Sequence, residues 1–211
     1  MTVQLEIRVR QILPDRKAVG SGVPWMAHQK DDGMSEKVNA EQLRLGFLET
    51  MEVDGRGHIG GLLVTTQHGR PLEFQCTTPV RPNRAQEILY GATLREWLLG
   101  ELIAGTLLDR VGIKPHLILT SDPSILELRN HTTIPVACTI DHETDTRESA
   151  DRDELSFRVG TQVLRCHGAH SEDRGLIQHR QHLIPDQADL GEPLERVREA
   201  LAETVRTVFA R

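Results

Sequence analysis

Apolar positions recur with a period near two over Leu43–Val53, His58–Thr66 and Leu72–Thr77, and these runs are separated by Asp54-Gly55-Arg56-Gly57 and Gln67-His68-Gly69-Arg70. A glycine after Asp or His supplies the positive φ of a tight hairpin, so the spacing predicts an antiparallel meander. Pro79 and Pro82 end it, because each lacks the amide donor a ladder needs. Asn83–Leu89 then reads as a short helix. Thr93-Leu94-Arg95-Glu96 has the capping-box pattern that opens a long one. Leu94, Leu98, Leu102 and Ile103 share a face that Leu99, Leu107, Leu108 and Val111 widen, which predicts a helix buried around much of its circumference. Gly112 and Pro115 terminate it.

Beyond this helix, Leu117–Thr120 is a short apolar strand and Asp122-Pro123 is an N-cap with a first-turn proline. Ile125–Arg129 spans one or two helical turns, and Ile134–Ile140 is a further strand. A strand, a short helix and a strand in that order predict a crossover with parallel neighbours. Leu155–Val159 and Gln162–Cys166 flank Gly160 as two more strands, and a polar stretch runs from Cys166 to His182. In the last segment, 189–211, Leu190, Leu194, Val197, Leu201, Val205 and Val208 recur at helical spacing. Such an apolar stripe requires a groove or a second copy of itself.

Ahead of the meander, Val3–Leu13 alternates as a strand does. Segment 14–40 carries prolines, glycines and the isolated pair Trp25-Met26, and reads as a flexible loop; 141–154 is dense in charge and reads as an exposed one. The expected architecture is a single domain over 1–211 of α/β class, with α+β as the variant. In it a β-meander joins a mixed sheet, with a central buried helix and a C-terminal amphipathic helix.

Composition narrows the function classes. The chain has 211 residues, with 25 Lys+Arg against 31 Asp+Glu, a formal net charge of −6, and 3% aromatic residues. That charge is the wrong sign for general phosphate binding, and the few rings offer no platform for stacked bases, so a nucleic-acid partner is not expected. No apolar run reaches the roughly 18–20 residues of a membrane span. The N-terminus lacks the basic and continuous apolar regions of a secretory signal. The three cysteines, Cys76, Cys138 and Cys166, are far apart and form no Cys-x-x-Cys pair. Reduced thiols in a cytoplasmic protein are the expectation.

Three constellations carry candidate chemistry. Asp122, Asp141 and Glu143 follow the ends of two predicted parallel strands, where open α/β sheets bind ligands, and are the candidates for acid–base work or for a divalent metal. Arg70, Arg81 and Arg84 flank the end of the meander and the start of a helix, and with Thr77 and Thr78 form a candidate anion site. His167, His170, His179 and His182, with Cys166, offer ligand types suited to zinc, although His-x-x-His lacks the spacing and the glutamate of a metalloprotease helix.

The succession Gly60-Gly61-Leu62-Leu63-Val64, Gly69-Arg70-Pro71-Leu72-Glu73-Phe74, a long helix, Leu117–Thr120, Asp122-Pro123 and Ile134–Ile140 resembles the core of the cytidine-deaminase-like fold over less than half the chain. Enzymes of that family carry His-x-Glu or Cys-x-Glu on one helix and Pro-Cys-x-x-Cys on the next. Here the corresponding stretches read Asn83-Arg84-Ala85-Gln86-Glu87 and Asp122-Pro123-Ser124-Ile125, so the resemblance implies a topology without the zinc motif and without deamination. With no motif of catalytic specificity, the leading expectation is a non-catalytic protein-interaction or assembly module. Its partner, or a second copy, would dock through the C-terminal helix. The alternative is an enzyme or a small-anion or metal-binding sensor that uses the strand-end carboxylates and the arginine cluster.

Overall fold

The computed structural model describes residues 43–140 and 156–209. The predicted first strand, the 14–40 segment with Trp25-Met26, and the 141–154 segment lie outside these residues. Within them, seven strands form one mixed sheet in the order β3-β2-β1-β4-β5-β7-β6. β1 (Arg44–Val53), β2 (Gly57–Thr66) and β3 (Pro71–Cys76) are the predicted meander. β1 and β2 pair antiparallel from Arg44 opposite Thr66 to Val53 opposite Gly57. β4 (Leu117–Thr120) and β5 (Val136–Ile140) add parallel to β1 and to each other, as the crossover reading required. The antiparallel hairpin β6 (Ser156–Val159) and β7 (Gln162–Cys166) completes the far edge through β7 on β5. The α/β class with a mixed sheet is therefore correct. The cytidine-deaminase-like topology is not confirmed.

Because successive strand residues point to opposite faces, the alternation along β1 splits the core in two. Leu45, Phe47 and Val53 pack with Ile177, Leu194, Val197 and Leu201 on one face. Leu48 packs with Leu62, Val64, Leu98, Leu99, Ile103, Leu107 and Ile125 on the other. Helices thus cover both sides of the sheet. Adjacent glycines on β2 let both layers approach. A Cβ on Gly60 would sit 2.3 Å from Ile103 Cγ2, and one on Gly61 would sit 3.0 Å from Val197 Cγ1.

Several local expectations need correction. The capping box belongs to the short helix Arg84–Tyr90: Asn83 Oδ1 accepts from the Gln86 amide while Gln86 Oε1 accepts from the Asn83 amide. Thr93 makes no cap bond and instead donates its hydroxyl to Tyr90 O. The long helix, 94–110, is continuous but contains a π-helical stretch, Trp97–Ala104, between α-helical Leu94–Glu96 and Gly105–Arg110. The crossover segment Pro123–His131 is a 3₁₀-helix capped by Asp122. The polar stretch after Cys166 holds a helix, Glu172–Arg180, that its weak apolar periodicity concealed; it buries only Asp173 and Ile177.

The C-terminal helix, Glu192–Phe209, carries the predicted stripe, and the sheet itself is the groove. Leu194, Val197 and Leu201 are buried in the first core, with Leu190 just ahead of them and Val205 packed against its margin.

Candidate ligand-binding cleft

The chain beyond β3 stays against the sheet edge because its backbone is bonded there. Thr77 donates its amide to Gly60 O at 2.9 Å and accepts the Gly60 amide on Oγ1 at 3.0 Å. Val80 and His58 exchange backbone bonds of 2.7 and 2.9 Å. Gly57, at φ 97°, is required at this crossing, since a Cβ there would lie 2.2 Å from Val80 O. Pro79 and Pro82 then turn the chain into the short helix. Thr77–Asn83 and Gln86 form one wall, and the long helix, from Trp97 to Arg110, forms the other. Between them lies an open cleft of about 650 Å³.

The π-helical stretch shapes the second wall. Trp97, Leu98, Leu102 and Ile103, all within it, line the cleft. π-Helical turns are rare and occur frequently at functional sites, because the extra residue per turn displaces side chains from the α-helical register. Tyr90, the last residue of the short helix, stacks on Trp97 with ring centroids 4.2 Å apart and planes 18° from parallel. That stack ties the short helix to the long one.

The long helix lines the cleft mostly with apolar side chains, together with Thr106 and Arg110, and the facing segment mixes Pro79, Val80 and Pro82 with the polar Thr77, Thr78, Asn83 and Gln86. Arg81 and Arg110 supply its charge, and no Asp or Glu is among its lining residues. Arg81 also donates from Nη1 to Gly55 O at 3.4 Å. The remaining titratable lining group, the Cys76 thiol, is pushed up from its ordinary range by burial. Of the three predicted anion-binding arginines, Arg81 alone lines the cleft. Arg70 is exposed beside the β2–β3 turn, and Arg84 is exposed and bonded to Glu87 at 3.0 Å. Arg110 was missed because it lies near the end of a helix that periodicity read only for its apolar face.

The strand-end carboxylates divide. Asp141 and Glu143 lie outside the described residues. Asp122 accepts the Ser124 amide at 2.9 Å and Arg95 Nη2 at 2.5 Å, so it caps the 3₁₀ segment and pins it to the long helix. A carboxylate not anticipated, Glu49, lies just beyond the β1–β4 pairing with 3% exposure. It accepts the Ser121 amide at 3.1 Å and the Ser121 hydroxyl at 3.0 Å, and Arg198 of the C-terminal helix approaches it at 3.4 Å. Burial raises its pKa despite the lowering effect of these partners. Its signal in the sequence was an acidic residue at a core-facing position, between Phe47 and Met51.

The histidines are dispersed too. His167 and His170 are neighbours, with rings 5.5 Å apart, at the start of helix Glu172–Arg180; His179 and His182 lie at its other end. His170 contacts Asn130 Oδ1 at 2.8 Å and Glu172 at 3.2 Å, and His167 stands 3.7 Å from Glu127. Cys166 is buried, and its thiol is pushed up to about 12, chiefly by desolvation, which opposes the thiolate a metal requires. Among the described residues, no group of three or more His, Cys, Asp or Glu side chains is arranged to hold a metal ion.

No family model matches the chain, and no curated protein sequence matches it. Among solved structures, it is similar to the crystal structure of human endonuclease V at 13% identity and a TM-score of 0.38, covering 78% of this chain and 86% of that one. It is also similar to the catalytic domain of human endonuclease V at 11% identity and a TM-score of 0.39, covering 79% and 85%. Likeness at this level carries no argument about substrate or mechanism. The expectation of a non-catalytic interaction module is nonetheless corrected. The apolar face of the helix that was to dock a partner is buried in the chain's own core. Nothing in these neighbours favours the expectation against nucleic acid. Among the described residues no helix is long and apolar enough to cross a membrane.

Proposed function

We propose that the protein binds a small amphipathic anion in the cleft between Thr77–Asn83 and the long helix, as a sensor or carrier of that ligand. The observation that carries this reading is the mixed lining, in which apolar side chains accompany a few polar ones and the charged members are arginines. The long-helix wall is mostly apolar apart from Thr106 and Arg110, the facing wall mixes Thr77, Thr78, Asn83 and Gln86 with Pro79, Val80 and Pro82, and the charged lining residues are Arg81 and Arg110. Ligand sites are typically concave and mostly apolar, with a few polar groups fixing orientation. The π-helical wall independently supports a functional role for this surface. The titratable lining groups are Cys76, Arg81 and Arg110, a set suited to holding charge rather than to moving protons, so binding is preferred to catalysis. Asp122, held by Ser124 and Arg95, has no part in it. Arg81 and Arg110 would grip the anion in place of the trio Arg70, Arg81 and Arg84. A cytoplasmic setting, in keeping with Cys76, Cys138 and Cys166 standing outside any disulfide, belongs to the same reading.

Isothermal titration with octyl phosphate tests the proposal. Each charge-assisted hydrogen bond contributes about 1.5–3 kcal/mol, so replacing Arg81 and Arg110 together with Ala should weaken binding by at least about tenfold while thermal unfolding stays cooperative. Unchanged affinity in the double variant would remove the cleft from consideration.

A further inference from the structure

Resting on that reading, we infer that the ligand is a planar aromatic anion: a flat ring bearing a phosphate, sulfate or carboxylate, with the ring stacked on Trp97. The inference starts from the Tyr90–Trp97 pair. Tyr90 covers one face of the indole at a centroid distance of 4.2 Å, and Trp97 is at the same time a lining residue of the cleft. The indole is thus half-buried, stacked by Tyr90 and part of the cleft lining at once, and in this inference the ligand's ring meets the surface that Tyr90 leaves uncovered. A ring entering there would extend an existing two-ring stack to three.

The rest of the cleft fits such a ligand. Leu98, Leu102 and Ile103 continue the apolar wall alongside the indole, and Arg81 and Arg110 supply positive charge for an acidic substituent. A flat ring presents a π-face that attracts both an aromatic side chain and a guanidinium, whereas an alkyl chain gains only contact area. The same cleft should therefore discriminate between an aryl and an alkyl anion of comparable apolar size.

The test compares 1-naphthyl phosphate with octyl phosphate by isothermal titration on the full chain, in the wild type and in Trp97→Leu and Trp97→Phe. Aromatic pairing beyond area burial corresponds to about a three- to tenfold gain. The wild type should prefer naphthyl phosphate by that factor. Trp97→Leu should abolish the preference by weakening naphthyl phosphate alone, and Trp97→Phe should restore most of it. Arg81→Ala with Arg110→Ala should weaken both phosphates together. If the two phosphates bind the wild type equally, or Trp97→Leu weakens them equally, the stacking inference is overturned while the cleft reading stands. If neither binds, both readings fall. Should Trp97→Leu not fold, the wild-type preference and the Trp97→Phe variant decide the matter.

Discussion

Replacing Asp173 with Ala removes one half of a buried ion pair that joins helix Glu172–Arg180 to the end of the crossover segment. Asp173 has no exposure, and the Arg129 side chain retains 12%. Arg129 donates from Nε to Oδ2 at 2.7 Å and from Nη2 to Oδ1 at 3.0 Å, the bidentate geometry that Arg and carboxylate share. Its Nη1 donates to Thr132 O at 2.7 Å, and Glu172 lies 3.5 Å away on the exposed side. Breaking one partner of such a pair typically costs about 3–5 kcal/mol, because a charge is left buried without compensation. Here Thr132 and Glu172 remain as partial compensation, which places the expected loss near about 3 kcal/mol. For a chain of this size, about 2–4 °C of melting temperature accompanies each kcal/mol, so Asp173→Ala should melt about 6–12 °C lower. Thermal unfolding followed by circular dichroism, together with urea midpoints, measures this. Arg129→Met combined with Asp173→Leu should cost less than Asp173→Ala alone, since no charge is then stranded. A melting point for Asp173→Ala within about 2 °C of the wild type, the shift expected of a surface substitution, would refute the reasoning.

Two further outcomes are expected. Glu49 has a raised pKa in the folded protein, so the folded state binds its proton more tightly than the unfolded chain does. Wild-type stability should therefore fall relative to Glu49→Gln as pH rises upward from the ordinary carboxylate range, and denaturant titrations at pH 4 and pH 7 should show the gap moving in that direction; the opposite trend would show the carboxylate to be held as an ion. Leu201→Asp places a charge at a position with no exposure against Gly61. It should abolish cooperative unfolding rather than yield a folded monomer, and a well-folded Leu201→Asp protein would return the C-terminal helix to the surface.

The sheet was legible because its signals are local. The alternation in β1 and β2, the glycines of their hairpins and the apolar β4 and β5 each follow from a period or a turn residue, and the observed strands lie within a residue or two of those expectations. Helix Glu172–Arg180 was missed for the same reason. It is polar nearly all round, and its buried anchors are Asp173, paired with Arg129, and Ile177, whose partners are distant in sequence. The capping box was read at Thr93 because Thr-x-x-Glu fits the pattern, yet Asn83 and Gln86 fit it as well, and only tertiary context selects between them. The π-helical stretch leaves no local mark: Gly100 is its one irregular residue, and the reason for it is the 3₁₀ segment, whose Ser124 O would lie 2.7 Å from a Cβ there.

The candidate site was legible in part. Arg81, Thr77 and Thr78 were found from their place after the meander, where prolines had to turn the chain. Arg110 and Trp97 escaped because they reach the cleft from the other side of the fold, from a helix whose pattern announced only burial. The terminal stripe was read correctly as apolar, with a groove of the chain's own and a partner both left open, since periodicity tells that a face must be covered and not by what.

The measurement that bears most directly on the cleft is a two-dimensional ¹H–¹⁵N NMR titration with octyl phosphate. Saturable shifts should concentrate on the amides of Thr77, Thr78 and Arg81, the backbone from Trp97 to Arg110, and the Trp97 indole N–H. Saturable shifts centred instead on the Glu127–His167 region, or no saturable shift at all, would contradict the account.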